Sequence, residues 1–453
     1  MRSPVSIRSH LTLALFWLGI SFVWGALFNV ALPFILVPEH PGPGNPVLVS
    51  PATKNTALSL METGGLIVAM LVQPAAGAFS DRLRTRFGRR RPLIAVGTVG
   101  AVASLLLVAV SPVFLFLVAV YCLLQAFMNV AQGAYQGLLP DTVPPDERGR
   151  ASGWIGVATL AGNVVGVVVA GALSPRFACV VIAGVVLLTA VITIAGVREQ
   201  PVARDRVTEH ASAPRASRVQ QLRGYAADFA RYPDFCWVVL SRFLIFTSLA
   251  SIQRFAAYYI ADQYRGAYTV FGWDLGSAQT AMSVVLAVLI FVGILTTYPA
   301  VRLSDRVGRR AVIIAAATLG SVAFVLIFFA TSLSQVVLLA IPVALCFGGV
   351  TSVDWAFMAD LAPRSRAGKF LGFSNLATAG AQAAAPTILG PVIDAVNGHT
   401  GGSGGMGTGG YKILFLMGAV FFLAGGFILR RVRVQRIPEA DDDVLPSTRF
   451  AVT

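Results

Sequence analysis

The sequence predicts an all-α integral membrane protein whose twelve spanning helices form two pseudo-symmetric bundles of six. Three observations predict it. Hydrophobic residues make up 56% of the 453 residues and charged residues only 12%, where soluble domains carry about a quarter charged. The apolar residues gather into twelve runs, most near the length of about 20 residues that crosses a bilayer. A charged signature from the first half of the chain also recurs in the second half, in the corresponding slot.

The runs are taken in order. Span 1, residues 11–36, is longer than the apolar stretch of about 7–15 residues in a signal peptide, so it is read as a retained helix. Spans 2 to 6 follow at 57–79, 92–110, 113–139, 151–173 and 177–197, and spans 7 to 12 at 235–261, 276–300, 311–331, 333–359, 368–395 and 411–430, each bounded by charges or turns. Strands would need alternation and barrel closure, and these runs are too continuously apolar for that. The expected organisation is a bundle over 1–197, a polar basic linker over 198–233, a second bundle over 234–437 and a tail over 438–453. Segments on the other side are short and rich in Gly and Pro, as in "PEHPGPGNP" and "GGSGGMGTGG".

The net charge of +14 does not describe a nucleic-acid surface. Six arginines fall between Arg82 and Arg91, in the loop after span 2, and 29 of the 35 Lys and Arg lie in the N-terminal segment, the tail and the loops of that same side. Only Lys54, Arg176, Arg265 and Lys412 lie on the opposite side, while Arg242 and Arg254 lie within span 7. This is the positive-inside pattern. It predicts both termini in the cytoplasm, and a multi-pass protein of the plasma (inner) membrane is expected.

Cys122, Cys179, Cys236 and Cys346 sit singly in apolar runs, and His10, His40, His210 and His399 lie outside them. Neither pattern suits a metal site or a disulfide framework. There is no phosphate-binding glycine motif and no catalytically spaced set of acids, so no cofactor and no enzyme is expected. A monomer is expected.

"SDRLRTRFGRR" (80–90) returns as "SDRVGRR" (304–310), and "LPDTVPPDERGRASG" (139–153) aligns with "MADLAPRSRAGKFLG" (358–372), setting Asp141 opposite Asp360. Both motifs follow the second and fourth spans of a half. The halves are therefore read as a duplication, with the working site between them near the midplane.

These loops resemble the signature of the major facilitator superfamily. The longer form, with Val72, Gln73, Pro74, Gly77, Ser80, Asp81, Arg82, Arg86 to Arg91 and Pro92, is similar to that of the sucrose/proton symporters and the related glycoside–cation symporters. The resemblance implies transport of a small polar solute, a sugar or glycoside, by alternating access with a proton as partner. It also implies gating at the loops, by Asp81, Arg82, Gly88, Arg89 and Arg90, and by Asp305, Arg306, Gly308 and Arg309. In that family Asp81 meets the start of span 11 near Ala367, and Asp305 meets span 5 near Ala151. Asp146 and Glu147 are expected to accept bonds from the loop arginines.

Within the spans, Gln125, Asn129, Gln132 and Gln136 repeat at spacings that share one helical face. Amides both donate and accept, which suits hydroxyl-rich solutes. Asn29, Asn163 and Gln382 are further solute-binding candidates. Arg242 and Asp354 lie at matching depth near the inner ends of spans 7 and 10, and Glu62 and Arg254 match in the outer half. Unpaired charge there is costly, so two ion pairs are expected, and either acid is a candidate carrier of the coupling proton. The chain departs from its apparent relatives in two places. Plant symporters carry an acid and an arginine in span 4 where Gln125 and Gln136 stand, and sodium-coupled permeases carry acids in span 2 where Ala69 and Gln73 stand. Efflux of drugs or metabolites by the same fold, or a sensor that transports nothing, are the competing readings; span 5 lacks the proline of the efflux motif.

Overall fold

The computed structural model describes residues 7–144, 147–197, 232–361, 367–400 and 407–432. Its long helices are α1 (Ile7–Leu36), α2 (Lys54–Arg82), α3 (Arg91–Ala109), α4 (Phe114–Gln136), α5 (Arg148–Ala172), α6 (Pro175–Gly196), α7 (Pro233–Tyr264), α8 (Ala278–Val307), α9 (Arg309–Phe328), α10 (Leu333–Leu361), α11 (Ala367–Thr400) and α12 (Gly409–Ile428). Twelve are long and apolar enough to cross a bilayer. A helix is the natural form for such runs, because hydrocarbon offers no partner to a free backbone amide or carbonyl.

Helices α1 to α6 form one bundle, in which α1 packs on α5 and α6, α2 on α4, and α3 on α4 and α6. Helices α7 to α12 form the other, with α8 on α10, α9 on α10 and α12, and α7 on α11 and α12. The bundles meet through α2 with α11 and α5 with α8. Exchanging the halves turns one of these junctions into the other.

Small residues permit the closest approaches. On α5, Gly162 and Gly166 lie against the Leu18 and Phe22 carbonyls of α1, where a β-carbon would overlap the backbone. The four-residue spacing stacks both contacts on one face, as in other closely packed membrane helices.

Several boundaries move outward from the apolar runs. The run expected at 57–79 is part of a helix covering Lys54–Arg82, and 276–300 corresponds to Ala278–Val307. Polar helix ends continue past the greasy stretch because helical hydrogen bonding does not need apolar side chains. Span 4 is shorter than expected, ending at Gln136, and a separate short helix covers Leu138–Thr142. Two features were not anticipated. Leu27–Ala31 forms a wide π turn inside α1, in which the Leu32 N–H donates to the Leu27 carbonyl; Pro33, one residue on, has no N–H for the usual ladder. Between α7 and α8, β1 (Thr269–Val270) pairs antiparallel with β2 (Trp273–Asp274). Phe271 and Gly272 both take positive φ in its two-residue turn, as a primed hairpin turn requires.

Candidate functional site

Each arginine loop turns at a glycine with positive φ. Gly88 has φ 99° and Gly308 φ 91°, a region that favours glycine. Each turn delivers the next arginine to a carboxylate after or at the end of the fourth span of its own bundle, Asp141 in the short helix Leu138–Thr142 and Asp360 near the end of α10. Arg89 grips Asp141 with two bonds, its Nε at 3.1 Å from Oδ2 and its Nη2 on Oδ1. Arg309 Nη1 lies 2.7 Å from Asp360 Oδ2. The duplicated loops therefore make the same ion pair, through the two acids that the repeat aligns. Arg90 adds a second cation to Asp141, Nε to Oδ2 at 2.9 Å.

Among the described residues, the partner of Asp81 is in its own bundle, and the start of span 11 near Ala367, where its expected partner lies, falls at the edge of the described residues. Asp81 meets Arg90 Nη2 at 2.6 Å and is 58% exposed. Asp305 is exposed and has no partner among the described residues. Among the described residues, hydrogen bonds joining the bundles gather at the other face, around the first turns of α2 and α8. Arg82 and Arg306 are exposed. Glu147 Oε2 stands 3.5 Å from His10 Nε2. Asp146 lies outside the described residues.

Both ion pairs expected from depth are present. Arg242 Nη1 pairs with Asp354 Oδ2, the two side chains 2% and 5% exposed. Its Nε donates to Thr378 Oγ1 at 2.7 Å, and its guanidinium faces the rings of Phe246 and Trp355 at 5.2 Å. This group binds α7, α10 and α11 within one bundle. Arg254 Nη1 lies 3.1 Å from Glu62 Oε1 and over the Phe28 ring at 4.9 Å. That pair crosses between the bundles, from α2 to α7, beside the wide turn of α1. Glu62 Oε2 is buried without a hydrogen-bond partner.

The amide face of α4 divides. Gln125 and Asn129 are each 5% exposed. Gln125 donates to Tyr121 Oη at 3.0 Å, and Asn129 donates to the Gln125 carbonyl at 2.8 Å and to its Oε1 at 3.2 Å. Both amides are bonded within their own helix. Gln132 is half-buried and Gln136 exposed. Asn29 and Asn163 are half-buried, each donating back along its helix, to Gly25 and Thr159 respectively, and Gln382 is exposed. Sequence reasoning gave no role to Asp141 or Thr378. The repeat had already marked Asp141, but nothing in the pattern of α11 distinguishes Thr378.

The fold has counterparts among solved structures. The nucleoside transporter NupG superposes with a TM-score of 0.70 at 12% identity, covering 94% of this chain and 98% of that one. A D-xylose–proton symporter superposes with a TM-score of 0.62 at 16% identity, over 91% and 96% of the two chains. In sequence, the chain is 30% identical over 142 residues to the general alpha-glucoside permease of Schizosaccharomyces pombe, 28% of this chain and 26% of that protein. It is 26% identical over 183 residues to the sucrose transport protein SUC4 of Arabidopsis thaliana, 36% and 33% of the two. The chain thus matches a third or less of the length of these relatives. The family described as Major Facilitator Superfamily matches residues 11–386 and, again, 255–446. Twelve helices in two bundles, the duplicated arginine loops and this match lead to one conclusion: the chain belongs to the major facilitator superfamily, a family of membrane transporters and not of enzymes.

Proposed function

We propose that the protein is a secondary transporter that moves a small polar solute, a sugar or glycoside, by alternating access coupled to protons. It acts as a monomer in the plasma membrane, with the arginine loops and both termini in the cytoplasm. The observation that carries the reading is the Glu62–Arg254 pair. It lies within the spans and joins one bundle to the other, and one carboxylate oxygen is left without a partner. A group placed there is affected by both bundle movement and protonation, which is what coupling demands. Arg242 and Asp354 supply a second acid in the other bundle.

The solute class rests on two supports. The relatives named above include a glucoside permease and a sucrose transport protein. The candidate path offers neutral amides, Gln132, Gln136, Asn163 and Gln382, that donate and accept equally well. When the bundles part, Gln125 and Asn129 exchange their internal bonds for solute hydroxyls. The loop groups Asp81, Arg89, Arg90, Asp305 and Arg309 close the cytoplasmic face in the opposite state.

Uptake into proteoliposomes loaded with buffer, tested with a panel of mono- and disaccharides and α- and β-glucosides, decides the matter. Accumulation of a sugar driven by an inward proton gradient is the expected result. Downhill flux that ignores the gradient rejects coupling, and no flux of any sugar rejects the solute class.

A further inference from the structure

The face opposite the arginine loops holds a set of contacts that the coupling pairs do not use. Helix α2 starts after a tight turn at Pro51–Thr53, and Thr53 makes no side-chain cap. The free amides of its first turn are taken by the other bundle instead. Asp394, 7% exposed on α11, accepts from the Thr56 N–H at 2.7 Å, the Thr56 hydroxyl at 2.7 Å, the Asn55 side chain at 2.7 Å and the Asn55 N–H at 3.3 Å. Gly390, one turn earlier on α11, lets the helices touch, since a β-carbon there would overlap Ser59 and the Asn55 carbonyl. Beside this cap, buried Lys54 pairs with Asp262 of α7 at 2.6 Å, and Asp262 also accepts from the Tyr411 hydroxyl at 2.7 Å.

The second junction repeats the device with the direction reversed. Helix α8 belongs to the C-terminal bundle, and its first N–H, from Ala278, goes to Glu39 Oε1 of the N-terminal bundle at 2.7 Å. Tyr268 lies against Glu39; burial, then that carboxylate, pushes the tyrosine hydroxyl up to about 12, so it stays a neutral donor. Each carboxylate thus satisfies orphan amides at the positive end of a helix that belongs to the opposite half.

We propose that Asp394 and Glu39 form a reciprocal lock that holds this face shut, each acid capping the second helix of the opposite bundle. Opening the face strips both acids away, leaving the Asn55 and Thr56 amides of α2 and the Ala278 amide of α8 to water, while Ser277 keeps its own cap on Thr280. The lock rests on the alternating-access reading, but it is tested without any solute.

Nitroxide labels at Ala52→Cys and Gly398→Cys, in a variant with Cys122, Cys179, Cys236 and Cys346 replaced, report the separation across this face by pulsed electron spin resonance. Asp394→Asn and Glu39→Gln are each expected to raise the long-distance population about tenfold, the effect of losing one charged cap. Thr56→Val, which removes a single donor, moves it in the same direction by less. Should Asp394→Asn fail to fold, the Glu39 and Thr56 variants carry the test. Monodisperse variants with the parent distance distribution overturn the lock. If the face opens in the variants while no sugar moves in proteoliposomes, the lock stands and the transport reading falls. If sugar accumulates and the distances stay put, the reverse holds.

Discussion

Replacing Asp354 by Asn removes one charge from a pair that is closed off from water. The two side chains are 2% and 5% exposed, so solvent does little to screen them. Removing one member of a buried pair costs about 3–5 kcal/mol, because the other charge stays behind uncompensated. Arg242 keeps its bond to Thr378 and its place against Phe246 and Trp355. Those contacts set the expectation at the low end, about 3 kcal/mol, the same range as the cost of about 2.5–3.5 kcal/mol for an arginine in the middle of a spanning helix. The double variant Arg242→Met with Asp354→Leu removes both charges and returns to within about 1 kcal/mol of the parent, since apolar replacement of a whole buried pair is often neutral. Unfolding of the purified protein in mixed micelles, with parent, single and double variants side by side, measures both. A single variant as stable as the parent, or a double variant as unstable as the single, refutes the argument that burial makes these charges depend on one another.

Glu62→Gln keeps the shape of the side chain and removes its exchangeable proton; accumulation is expected to vanish while counterflow of preloaded sugar persists, and accumulation equal to the parent's rejects Glu62 as the coupling group. Asp141→Asn weakens the hold on Arg89 and on nearly buried Arg90, for an expected loss of about 2–3 kcal/mol. Asp81→Asn touches a carboxylate that is 58% exposed and costs less than about 1 kcal/mol; denaturation midpoints in the reverse order sink this ranking. Gly166→Leu drives a side chain into the Phe22 carbonyl, and loss of monodisperse protein is expected, whereas Gly184→Leu, with open space at its β-carbon, leaves the yield unchanged.

Much of the architecture was legible because a bilayer imposes hard limits. A span must be about 20 residues long and mostly apolar, and loop charge sorts by side. Depth matching found both ion pairs because few charges sit within the spans, but it could not place Asp394 in span 11, which takes amides and a hydroxyl instead of a cation. The amide face of α4 resisted for a related reason. The spacing that puts Gln125 and Asn129 on one face also lets Asn129 bond back to Gln125, so periodicity does not separate a lining residue from a self-satisfied one. The wide turn before Pro33 and the Phe271–Gly272 hairpin depend on local dihedrals that composition hides. Asp81 was assigned from a resemblance to proteins whose loops meet the other bundle. Here Arg90 lies in the same bundle and takes the carboxylate.

The lock on the far face escaped the repeat for a different reason. On the arginine-loop face the duplication is literal: Gly88 and Gly308, Arg89 and Arg309, Asp141 and Asp360 fill corresponding slots. On the far face the capped helices α2 and α8 correspond, but the capping acids do not, since Glu39 follows α1 whereas Asp394 lies within α11. Where α11 offers a carboxylate, the matching end of α5 offers carbonyls, of Leu173 to Gln279 at 2.8 Å and of Gly171 to Thr280 at 3.0 Å. One junction is therefore charged and the other largely neutral, though both close the same face. This asymmetry separates a true lock from a local cap. If the bundles move as bodies, Asp394→Asn lengthens the distance across α2 and α11 and also that between labels at Ser174→Cys and Trp273→Cys, near the α5–α8 junction. Lengthening confined to the α2–α11 labels would mean that Asp394 only holds down a helix end.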